Sequence, residues 1–173
     1  METFLEILKF SIPAIVVGGV AYLMLKTLID DNRNLREWEY RMNNQKLITP
    51  LRLQAYERLI VFLERISPDA LILRSQTTKM TAGRLHHDIL KLINHEFEHN
   101  LSQQLYVSTN AWIVVKNAKE NTIKFINLVA SKVNTKSPAM ELSKTIVDTM
   151  IQSRDSATSI AIDYLKKEVQ KLF

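Results

Sequence analysis

The stretch "NAWIVVKNAKENTIKFINLV", residues 110–129, decides the fold. Read at alternating steps of four and three, it puts Ala111, Val115, Ala118, Thr122, Phe125 and Val129 in one line. Such steps return side chains to one face of an α-helix, whereas a strand would alternate every second residue. A narrow apolar seam must be covered by other helices, so the stretch predicts the core of a helical bundle. Composition agrees. The 173 residues include three glycines and four prolines, little turn material for a series of hairpins. The chain is expected to be all-α.

Working outward, Thr49-Pro50, Ser67-Pro68 and Ser137-Pro138 each pair a capping side chain with a proline suited to a first helical turn. The first predicts a helix with Leu51, Ala55, Leu59, Phe62, Leu63 and Ile66 inside; the second, a short helix to about Arg74; the third, a helix through Ile151. "SQTTKMTAG" (75–83) reads as a connecting loop. A long helix is expected from Arg84 to Tyr106, with Leu85, Ile89, Leu92 and Ile93 buried, and the 110–129 helix begins after Ser108 or Thr109. Ser156 caps the last helix, whose apolar face would be Ile160, Tyr164, Leu165, Val169 and Leu172. Short connections favour antiparallel neighbours, so residues 49–173 are expected to form an antiparallel bundle of about four to five helices.

Before the bundle lies "FSIPAIVVGGVAYLML", residues 10–25, sixteen positions without a charge. Phe4, Leu5, Ile7, Leu8, Leu28 and Ile29 extend it, and Lys9 and Lys26 bracket it as membrane-interface anchors. A span needs about 20 residues, which the flanks supply, so residues 1–29 are expected to be a transmembrane helix. A signal peptide fits less well: Glu2 and Glu6 precede the apolar run, and "YLMLKTLIDD" offers no small-residue cleavage site. Lys26, Arg33, Arg36, Arg41 and Lys46 follow the span, against Lys9 before it. That asymmetry puts the amino terminus outside and the bundle in the cytoplasm. Between them, residues 30–48, "DDNRNLREWEYRMNNQKLI", are expected to form a charged stalk helix. Arg33, Glu37 and Arg41 stand four apart on it. Leu28, Leu35, Trp38 and Met42 suggest a coiled coil that Asp31 and Gln45 interrupt.

Absent cysteine rules out disulfides and thiolate metal sites. The formal charge is +5, with five lysines against Glu120 between Ala111 and Lys136. A nucleic-acid binder would concentrate arginines and aromatics on one face, so the lysines read first as solvated surface. The alternative is an anionic-surface binder using Lys116, Lys119, Lys124 and Lys132 on lipid headgroups or nucleic acid.

One short motif points to chemistry. His95-Glu96-Phe97-Glu98-His99 fits H-E-x-x-H, which places two zinc ligands and a general base on one helix. The two histidines would lie about 40° apart, within reach of one ion. His95, however, projects with Asp88, Lys91, Glu98 and Ser102 on the polar side, and no histidine follows His99 to complete a site. A third ligand would have to be Glu120, Glu141 or Glu168, since Asp88 stands about 10 Å back along the axis. The motif therefore reads as a solvated helix face, with a zinc hydrolase on His95, Glu96 and His99 as the alternative. No metal or cofactor is expected.

"TPLRLQAYERLIVFLERISP" (49–68) and "EFEHNLSQQLYVSTNAW" (96–112) resemble an uncharacterised family of membrane-anchored helical proteins from Bacteroidota. The resemblance runs over nearly the whole chain. It implies the inner membrane of a Gram-negative cell and brings no activity. These stretches are rich in polar residues: Arg52, Gln54, Tyr56, Glu57 and Arg58 on one helix, and Glu98, His99, Asn100, Gln103 and Gln104 on the next. Two readings stay open for them, a hydrogen-bond network that fixes register and a partner-binding surface. The expectation is a non-enzymatic, single-pass inner-membrane protein. Its cytoplasmic bundle would assemble with itself or with other subunits of a membrane complex.

Overall fold

The computed structural model describes residues 17, 19, 20, 22–27, 42, 45–152 and 156–172. Contacts divide the chain into two units, Met1–Thr49 and Pro50–Phe173. In the first unit every described residue is helical. The expected span and stalk fall mostly outside the described residues, as does Lys9, while Lys26 is exposed. Among the described residues, no helix is long and apolar enough to cross a membrane. Residues 45–49 are already helical, so Thr49 does not cap a helix starting at Pro50 as its sequence suggests.

The second unit is all-helical among its described residues. It contains α1 (residues 50–65), α2 (Pro68–Ser75), α3 (Ala82–His99), a 3-10 turn (Leu101–Leu105), α4 (Thr109–Ala130), α5 (Ala139–Gln152) and α6 (Ala157–Leu172). Six α-helices are described against about four to five expected for the bundle, and α2 is the short helix that Ser67-Pro68 predicts. Ser67 makes no side-chain cap bond at α2, its hydroxyl donating instead to the Glu64 carbonyl at 2.8 Å, whereas Ser108 and Ser156 cap as expected. Ser108 Oγ accepts from the Ala111 N–H at 3.0 Å, and Ser156 Oγ from the Ser159 N–H at 3.0 Å.

α3 stops at His99 rather than running on to Tyr106. The Asn100 side-chain amide donates to the Glu96 carbonyl at 2.8 Å, taking an acceptor that a continuing helix would use. The chain then tightens into the 3-10 turn before Ser108 restarts it. At the other end, α3 is fixed by the α4–α5 loop. The Ala82 and Gly83 N–H groups donate to the carbonyls of Ser137 and Thr135 at 2.8 and 3.0 Å, and Ala139 N–H donates to Met80 at 2.9 Å. These bonds satisfy donors that an isolated helix start would leave free.

α4 is the hub, packing along α6, α3 and α5. Its buried line is Ala111, Val115, Ala118, Thr122, Ile126 and Val129. Ile126 takes the place expected for Phe125. Both lines run from Ala111 to Val129 in five steps over 18 residues and differ only in whether the step after Thr122 is four residues or three. Packing against the neighbouring helices takes Ile126 fully inside and leaves Phe125 partly buried. α6 differs more. Its inner face is Thr158, Ala161, Ile162 and Leu165, while Ile160 is 59% exposed. Small side chains on both helices, Ala111 and Ala118 on α4 and Ala161 on α6, suit a close approach between them.

Candidate functional site

α1 and α3 meet through side chains that a hydropathy reading undervalues. Glu96 follows Leu85, Ile89 and Ile93 along the inner stripe of α3 and is 6% exposed. An unpaired carboxylate there would be costly, and two arginines relieve the cost. Arg65 Nη1, at the end of α1, donates to Glu96 Oε2 at 3.3 Å, and Arg74 Nη2 on α2 donates to Oε1. Arg74 also donates to the Arg65 carbonyl at 3.4 Å, closing the cluster. Burial alone would raise the Glu96 pKa. Hydrogen bonds and charge from Arg74 and Arg65 outweigh burial and hold it below the usual carboxylate value.

The same pairings fix the register. Arg65 meets Glu96, Phe62 packs on Phe97 with ring centroids 5.9 Å apart, and Arg52 Nε donates to the Tyr106 carbonyl at 3.2 Å. Partners advance in sequence as α1 runs backwards, so α1 and the α3-to-turn segment are antiparallel. Beyond Phe97 an aromatic ladder continues to α4. Phe97 stacks on Trp112 at 5.6 Å and 20°, and Lys119 Nζ sits 4.6 Å from the Phe97 centroid. Lys119 is therefore not part of a free lysine face, whereas Lys116, Lys124 and Lys132 are exposed.

Between α1 and α3 opens a recess of about 670 Å³, lined by Gln54, Glu57, Arg58, Val61, Phe62, Arg65, His95, Glu96, His99 and Asn100. It gathers Gln54, Glu57, Arg58, His99 and Asn100 from the expected polar set. The rest of that set is dispersed. Glu98 and Gln104 are exposed, and Gln103 is buried, donating to Ser102 at 3.2 Å. Tyr56 is 1% exposed, with its hydroxyl accepting from the Ser108 N–H at 3.4 Å. Burial raises the Tyr56 pKa. The Ser108 N–H opposes that, the neighbouring Glu168 carboxylate adds to it, and Arg52 opposes it again. Glu168 Oε2 is buried and has no hydrogen-bond partner among the described residues.

The H-E-x-x-H residues separate by role. His95 and His99 are exposed and close together, with Nε2 atoms 3.1 Å apart. Glu96 faces the other way and is committed to two guanidinium groups. It is not the free general base that a zinc hydrolase needs. Among the described residues, no group of three or more His, Asp or Glu side chains is placed to hold a metal ion. The arginine cluster itself went unpredicted, although Glu96 at three residues past Ile93 falls on the inner stripe and signals a buried charge in need of partners.

A family profile described as a family of unknown function, DUF7935, matches residues 2–172. No curated protein and no solved structure matches the chain.

Proposed function

The chain belongs to this family of unknown function, which brings no activity with it, and we propose from the chain itself a non-enzymatic scaffold held at a membrane. The helical bundle would present the α1–α3 recess to a partner, either another subunit of a membrane complex or a second copy. The observation that carries the membrane part is the exposure of helical apolar side chains. Val17, Val20, Tyr22, Leu23, Met24 and Leu25 are between 49% and 68% exposed, with no charge among residues 10–25. A run of large apolar side chains left in water is unfavourable by about 25 cal/mol per Å² of apolar surface, and lipid removes that cost. The partner part is supported by the recess, whose lining mixes Glu57, Arg58, His99 and Asn100 over the apolar floor of Val61 and Phe62.

A zinc hydrolase is disfavoured by the commitment of Glu96 to Arg65 and Arg74. The anionic-surface alternative is weakened because Lys119 packs over Phe97 and pairs with Glu120 at 3.4 Å.

The test is affinity purification of the full chain, tagged after Phe173, from membranes in mild detergent. A stoichiometric partner, or a self-associated species, that is lost in Arg58→Glu is the expected result. A monomer recovered alone, unaltered by that substitution, would count against the scaffold reading.

A further inference from the structure

His95 and His99 stand one helical turn apart at the end of α3, on the rim of the recess. Their rings meet edge to face with centroids 4.3 Å apart and an interplanar angle of 74°. Their Nε2 atoms approach each other to 3.1 Å. At that distance either ring can donate to the other, according to its tautomer. Two imidazole nitrogens this close on one helical turn can also share a metal ion once both present a lone pair. Metal–nitrogen bonds are about 2.0–2.1 Å long, and a 3.1 Å separation then subtends roughly 95–102° at the ion. That angle lies between the right angle of a square-planar centre and the tetrahedral angle, so small rotations of either ring reach both geometries.

We propose that His95 and His99 form a two-imidazole clamp for a late first-row divalent ion, in the copper(II)-to-zinc(II) class. Imidazole suits these ions, whereas calcium and magnesium require oxygen ligands. Charge in the recess does not oppose a cation, because Arg58 and Arg65 in its lining are matched by Glu57 and Glu96. With no third protein ligand grouped among the described residues, the remaining coordination positions fall to water or to a donor on a docked molecule. This site is independent of the scaffold reading. It also carries no hydrolysis, because Glu96 remains bound to its arginines.

The experiment uses the untagged full chain in mild detergent and a non-chelating buffer near neutral pH. Copper(II) binding is followed by electron paramagnetic resonance, and zinc(II) binding by equilibrium dialysis. The expected result is one tightly bound equivalent per chain with nitrogen hyperfine structure. That equivalent should disappear in both His95→Ala and His99→Ala, and persist in the His86→Ala/His87→Ala double variant. Both targeted side chains are exposed, so unchanged far-ultraviolet circular dichroism separates loss of the site from loss of the fold. Absence of a stoichiometric equivalent, or its survival in His99→Ala, would overturn the clamp.

Discussion

The Arg74 guanidinium donates to the Glu96 carboxylate, joining α2 to the inner face of α3 across 22 residues of sequence. Together with Arg65 it turns a carboxylate on an otherwise apolar stripe into a junction of three helices. Glu96→Ala should destabilise the bundle by about 1–3 kcal/mol, the range for removing one partner of a charge-assisted bond. The lower part of that range applies because Arg65 and Arg74 reach solvent and can rehydrate. Urea unfolding followed by circular dichroism measures it, and a loss within 0.5 kcal/mol of zero (about the spread of ordinary surface substitutions) would contradict the junction.

The same carboxylate sets an acid limit. Its folded pKa lies below its ordinary value of 4.5, so it contributes stability above that value. The contribution is lost as pH falls through the lower folded value. The melting temperature of the wild-type chain should therefore drop on acidification below about pH 4.5, and Glu96→Gln should flatten that part of the profile.

Tyr56 sets the opposite limit. Its folded pKa lies above 10.0, so the stability it contributes is complete below that value and is lost as pH rises through the folded value. Tyr56→Phe should cost about 1 kcal/mol near neutral pH, through the lost bond to the Ser108 N–H. It should also lessen the decline in stability above about pH 10. Parallel alkaline profiles for the two proteins would refute this.

Which residue follows Thr122 on the buried line of α4 can be tested by truncation. Ile126 is fully buried and Phe125 only partly so. Ile126→Ala should cost about 2–5 kcal/mol, and Phe125→Ala clearly less despite removing the larger side chain. The reverse order would put Phe125, not Ile126, on the buried line.

Helix type and most helix starts were legible because they depend on local chemistry: Ser108 and Ser156 cap where their hydroxyls reach the next turn. What was not legible depended on packing. Ile160 looks like a core residue by type, yet the α4–α6 contact prefers Ala161 and Ile162, and that choice needs the neighbour's shape. The end of α3 turned on one amide, Asn100, competing for a carbonyl. In the candidate site, Gln54, Glu57, Arg58, His99 and Asn100 lie on two polar faces legible in the sequence, and the recess brings those five together. Tyr56 and Gln103, in the same stretches, went inward. The arginine partners of Glu96 sit 31 and 22 residues away, beyond any local pattern.

Attachment to a membrane through the apolar amino-terminal segment can be decided by fractionating cells that express the full chain and washing the membranes with alkaline carbonate. The wild-type protein should stay in the washed membranes, and Val20→Asp combined with Leu23→Asp should release it. Recovery of the wild-type chain in the soluble fraction, or full release by carbonate, would contradict it.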